Sequence, residues 1–153
     1  MNESSSNKAL TKALSLLSKR SYSKAILEDK LKEKEFPEED ILEAIKKLES
    51  LGFVDDCKYA ESLAREYGEF KRYGVHRVKL KLIEKKVPEE IIKNVLQTID
   101  EKSMEKNAKE LAHKYLKNKN LPREKLYNRA LSFLIRRGYS YELSKKAVLE
   151  KIS

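Results

Sequence analysis

Apolar residues recur at three- and four-residue intervals along almost the whole chain. Leu10, Ala13, Leu14 and Leu17 form one such set, Ile41, Ala44, Ile45 and Leu48 another, and Ala60, Leu63, Ala64 and Tyr67 a third. Strict apolar and polar alternation is nowhere sustained, so the pattern predicts an all-α protein. Punctuation divides it. Ser23 can cap a helix start, Gly52 supplies a stop, and Asp55 or Asp56 can cap the next start. "YGV" at 73–75, "NLP" at 120–122 and "RRGYS" at 136–140 break the chain again. The predicted helices lie near 8–19, 23–34, 38–50, 56–68, 75–86, 89–99, 103–118, 123–136 and 141–151.

One string is written three times. "LKEKEFPEEDI" from Leu31, "LIEKKVPEEI" from Leu82 and "LIRRGYSYEL" from Leu134 align at a period of about 51 residues, or three helices. Each copy ends a helix with a basic residue (Lys34, Lys85, Arg137), passes an apolar residue (Phe36, Val87, Tyr139) and opens a new helix. Proline suits the first helical position, where its missing N–H has no partner, and the acids that follow complement the positive helix end. A three-helix unit of this size is marginal alone. Three in a row are expected to lean on one another as an elongated, curved array of three tandem three-helix repeats. The divisions predicted are a polar tail at 1–7, an acidic first repeat at 8–55, a second at 56–102 and a basic third at 103–153.

Composition narrows the class. With 39% charged and 40% hydrophobic residues, four glycines and no tryptophan, the chain is helix-biased and too apolar for disorder. No apolar run nears the roughly 20 residues of a membrane helix, and the polar start lacks a secretion signal's apolar core, so a cytoplasmic protein without a membrane partner is expected. Cys57 has no companion for a bridge or a zinc cluster. Phosphate-binding glycine loops, C-x-x-C and H-E-x-x-H are absent from the sequence. His76 and His113 lie in lysine-rich contexts with no patterned acid or cysteine, and Glu38/Glu39 and Glu89/Glu90 are explained by helix first turns. The expectation is a binding protein, not an enzyme, a monomer with no cofactor or metal.

Charge suggests what it binds. Residues 24–56 carry a net −5 and residues 103–153 a net +8, on a chain of +9. Two differently charged surfaces are implied. "FKRYGVHRVKLKLIEKK", 70–86, holds seven basic residues and one acid. On a helix from Val75, the residues Arg77, Lys81 and Lys85 form a stripe opposite an apolar face. With Lys71, Arg72 and Tyr73 at the glycine turn, that stripe could follow phosphates or an acidic protein groove. Lys125, Arg129 and Arg136 lie within about 40° of one another on the eighth helix. Solvated faces are the plain alternative for both stripes, and Arg136 and Arg137 can also serve as helix C-terminal cations. Tyr22, Tyr67, Tyr115 and Tyr127 fit core-facing positions, whereas Tyr73 suits either packing or stacking on a base.

The blocks "ALSLLSKRSYSKAILEDKLKEKEFPEEDILEAIKKLESLGFVDDCKYAESLAREY", "RYGVHRVKLKLIEKKVPEEII" and "LIRRGYSYELSKKAV" occur in that order. Together they resemble the RecX family of bacterial regulatory proteins, from about Ala9 to Leu149. The resemblance implies three tandem three-helix repeats. It further implies binding to filaments of the RecA recombinase on single-stranded DNA and their modulation, usually as inhibition of strand exchange, ATP hydrolysis and co-protease activity. Direct contact with single- or double-stranded DNA remains open. The alternative function is a basic helical protein that binds DNA or RNA without a recombinase. The chain departs from the family where Lys-Gly commonly precedes the apolar turn residue, keeping glycine only at Gly138 against Glu35 and Lys86. Losing that glycine means either a different turn geometry or a residue held left-handed at about 1 kcal/mol. The first two turns are therefore candidates for a different build on an unchanged fold.

Overall fold

The computed structural model describes residues 5–152. Its helices are α1 (Ser5–Lys19), α2 (Lys24–Glu33), α3 (Glu38–Ser50), α4 (Asp56–Arg65), α5 (Val75–Glu84), α6 (Glu89–Gln97), α7 (Glu101–Leu116), α8 (Arg123–Arg136) and α9 (Tyr141–Lys151). Among the described residues there is no strand, as the periodicity predicts. Of the predicted polar tail, residues 1–4 lie outside the described residues, and α1 already includes Ser5. The seventh helix also starts early, at Glu101, because the Asp100 carboxylate caps it by accepting from Lys102 N at 3.1 Å. The fourth ends differently from the expectation. It passes from α-helix into a π-helical turn at Glu66–Phe70, closed by Lys71 N donating to Glu66 O at 2.9 Å.

The threefold string is a Schellman stop. In each copy the N–H of the apolar residue donates to the carbonyl five residues back: Phe36 to Leu31 at 3.4 Å, Val87 to Leu82 at 3.1 Å, and Tyr139 to Leu134 at 3.1 Å. The residue before each is left-handed, with φ 65° at Glu35, 58° at Lys86 and 101° at Gly138. The expectation of a different build in the first two turns is therefore corrected. All three turns are built alike, and Glu35 and Lys86 are held in the glycine conformation because the Schellman bonds and the buried apolar pair outweigh about 1 kcal/mol of strain. Pro37 stands at the N-cap of α3, one place before the first helical position the pattern assigns it.

The chain divides into two compact units, Met1–Glu61 with Leu82–Ile92, and Ser62–Lys81 with Lys93–Ser153. The helices of the second repeat contribute to both. In the first unit Leu27, Leu31, Ile41, Ile45 and Leu48 are buried together, with Phe36 and Tyr22 packed against them. In the second, Met104, Ala108, Ala112, Leu134, Tyr139 and Val148 form the centre. Alanines line it on all three helices, Ala108 and Ala112 on α7, Ala130 on α8 and Ala147 on α9.

Candidate functional site

Glycine and a π turn bring two tyrosines together in the second unit. The π turn inserts one extra residue per turn, which carries Tyr67 round so that its carbonyl accepts from Tyr73 N at 2.8 Å. The two rings stack with centroids 5.9 Å apart and planes 26° from parallel. Cations gather on them. Arg77 and Arg137 place their guanidinium carbons 4.8 and 4.4 Å from the Tyr73 centroid, and Lys71 and Lys81 place their ammonium groups 4.3 and 5.2 Å from that of Tyr67.

Backbone acceptors fix the arginines from behind. Arg77 Nη1 donates to Arg136 O at 3.2 Å, and Arg137 Nη2 donates to Lys71 O. The Tyr139 hydroxyl donates to Arg72 O at 2.7 Å, and burial pushes its pKa up to about 12, against a smaller opposing effect of Arg137 and Arg72. These bonds rest on a close approach: Gly74 N donates to Arg137 O at 2.8 Å, and His76 N to Gly138 O at 3.0 Å. A Cβ on Gly74 would lie 2.3 Å from Gly138 C and Tyr139 N. Arg72, itself left-handed at φ 58°, pairs with Glu110 at 3.2 Å, and Lys71 pairs with Glu66 at 3.7 Å. Arg137 Nε is buried without a hydrogen-bond partner among the described residues.

Of the sequence-predicted residues, the structure thus gathers Lys71, Arg72, Tyr73, Arg77 and Lys81, and ties in the backbone of Arg136. Lys85 falls past the end of α5 and belongs to the first unit, where its carbonyl accepts from Ser23 Oγ. Lys125 and Arg129 are exposed on α8, about 10 to 16 Å along its axis from Arg136. Tyr67 and Arg137 were missed as site members. Tyr67 sits at a core-facing spacing and is brought in locally, by the π turn, against Lys71, Tyr73 and Lys81. Arg137 reads as a helix C-terminal cation, and only its contacts with Lys71 and Tyr73, some 65 residues away, reveal it. Chemically, the ring faces are engaged by one another and by the cations, so what the cluster offers a partner is positive charge, which suits an anion. Among the described residues no three His, Cys, Asp or Glu side chains converge as metal ligands.

Three family models match in tandem: the first three-helix domain of RecX at residues 9–48, the second at 55–96 and the third at 104–148. A regulatory protein RecX of Chlorobaculum tepidum is 30% identical over 97% of this chain and 91% of its own length. One of Listeria welshimeri is 31% identical over 94% of this chain, which spans only 54% of that relative's length. The fold agrees as well. The crystal structure of RecX from Lactobacillus salivarius matches with a TM-score of 0.86 and 26% identity, over 95% of this chain and 96% of that one. With three domain matches in order and near full-length similarity, the chain belongs to the RecX family of regulatory proteins.

Proposed function

We propose that this protein binds filaments of the RecA recombinase on single-stranded DNA and restrains their strand exchange, ATP hydrolysis and co-protease activity in recombination and the SOS response. The three consecutive RecX domain matches carry this reading. The cation and tyrosine cluster supports it, because guanidinium groups held on backbone carbonyls keep their outer edges pre-organised for carboxylates or phosphates. Lys125 and Arg129 add exposed charge without structural duties, so they would steer association more than hold it.

The test is RecA-dependent ATP hydrolysis on single-stranded DNA, titrated with this protein at fixed moderate salt and repeated with excess DNA. A fall at substoichiometric protein that added DNA does not reverse is expected. No change in hydrolysis, with salt-sensitive binding to naked DNA, would overturn the reading in favour of direct nucleic-acid binding. Lys125→Glu with Arg129→Glu should raise the half-inhibiting concentration about tenfold while leaving the unfolding midpoint unchanged. Arg77→Glu cannot separate these effects, since Arg77 also holds Tyr73 and Arg136.

A further inference from the structure

The first residues of α2 and α5, Lys24 and Val75, hold equivalent places in successive repeats, as do the first residues of α4 and α7, Asp56 and Glu101. In the first unit this corner is filled. Lys24 N donates to Asp56 Oδ1 at 2.8 Å, and Lys24 Nζ lies 3.1 Å from Glu49 Oε1. The Glu49 carboxylate raises the Lys24 pKa above its ordinary value, against a smaller lowering by burial.

In the second unit the same corner has lost its lysine. Val75 supplies a short branched stub, and a cavity of about 660 Å³ stands there. Val75, Met104, Tyr139 and Leu143 give it apolar walls, and Glu101, Glu105 and Glu142 give it carboxylates. Lys146 and Lys109 already hold Glu105, at 2.8 and 2.9 Å, and depress its pKa to about 2. Glu101 and Glu142 are exposed and make no ion pair among the described residues.

We infer that this cavity receives a lysine side chain of a partner protein, at the place where the first unit carries its own Lys24. The apolar walls suit the four methylenes, and Glu101 and Glu142 suit the ammonium. The volume, within the range of about 300–1,000 Å³ common for ligand pockets, also accommodates the peptide flanking that lysine. This site takes a cation, whereas the tyrosine cluster takes an anion, so the two can act on one partner without competing.

The experiment is a methyl NMR titration of the full chain with the blocked tripeptide Gly-Lys-Gly, compared with Gly-norleucine-Gly and Gly-Glu-Gly. The Val75, Met104 and Leu143 signals should move with the lysine peptide, which should bind about fivefold tighter than the norleucine one. Val75→Lys, which supplies the missing side chain internally, should abolish the response and leave the unfolding midpoint equal or higher. Glu101→Gln with Glu142→Gln should bring the lysine peptide down to the norleucine level, and decides the matter if Val75→Lys does not fold. Equal responses to lysine and norleucine would overturn the inference, as would an undiminished response in a folded Val75→Lys protein.

Discussion

At Ser23 the start of a second helix meets the turn of the following repeat through a hydroxyl; at Gly74 the equivalent meeting is backbone on backbone. Ser23 Oγ donates to Lys85 O while accepting from Ile26 N at 3.3 Å, and beside it Lys86 Nζ reaches Asp29 at 2.5 Å. Gly74 N donates directly to Arg137 O, with tyrosines and guanidinium groups packed round the approach. The same helical plan is thus joined by two chemistries. A side-chain junction leaves room for adjustment, whereas a backbone junction fixes the carbonyls that aim Arg77 and Arg137. The stiffer junction is the one that carries the candidate site.

Gly74→Ala should break that contrast most forcefully. The added methyl meets backbone atoms that have no flexible end to withdraw, so a loss of about 3 kcal/mol is expected in urea unfolding. The Tyr67 and Tyr73 ring signals should move with it. An unchanged midpoint would mean that the α8–α9 turn retreats freely, and the claim of a rigid junction would fail. Ser23 already carries a Cβ, so the first unit shows by its own sequence that it tolerates what the second does not.

The hydroxyls sharpen the comparison at smaller magnitude. Ser23→Ala removes both a helix cap and the donor to Lys85 O, at about 1–2 kcal/mol. Tyr139→Phe removes only the donor to Arg72 O, at about 1 kcal/mol. Equal losses would show that the cap at Ser23 contributes nothing, and thermal or urea denaturation of the two variants distinguishes the cases.

Much of this was legible in the sequence. The three-helix period, the helix stops and the placing of Leu31, Leu82 and Leu134 at turns all follow from local spacing, which backbone sterics enforce wherever the residues sit. The left-handed turn at Glu35 and Lys86 was legible only as an alternative, because whether tertiary packing outweighs the strain depends on buried contacts made elsewhere. The candidate site was half visible. Lys71, Arg72, Tyr73 and Arg77 stand in one basic segment, but the local π turn that presents Tyr67 has no signal in helical periodicity, and the arrival of Arg137 depends on partners distant in sequence. Of the stripe Arg77, Lys81 and Lys85, the last stands on the turn, because α5 stops one residue short of it.

Relieving the turns is a gentler probe. Glu35→Gly should stabilise the protein by about 0.5 kcal/mol, since the turn keeps its Schellman bonds and loses its strain. Lys86→Gly should gain less, because it also gives up the Lys86 to Asp29 pair. A loss from Glu35→Gly, measured by urea unfolding, would mean that unfolded-state entropy outweighs the left-handed penalty there.

Acid separates the two units most delicately. Lys146 and Lys109 hold Glu105 down to about 2, from an ordinary 4.5, and Lys109 also lowers Glu150, so both depressed carboxylates belong to the second unit. A carboxylate that ionises more readily folded than unfolded stabilises the fold above the unfolded value and ceases to do so as protons reclaim it. The support should therefore be whole above about pH 5 and fade between about 4.5 and 2, by a small amount because these pairs face solvent. Methyl signals of Ala112 and Ala147 in the second unit should lose dispersion at higher pH than those of Ala44 and Ile45 in the first. Glu105→Gln, which removes that support at every pH, should lower the second unit's stability at pH 7 and flatten its loss between about 4.5 and 2. If the first unit's methyls went first, the α7–α9 ion pairs would have no part in setting acid stability, and the difference between the units would rest on their backbone and hydroxyl junctions alone.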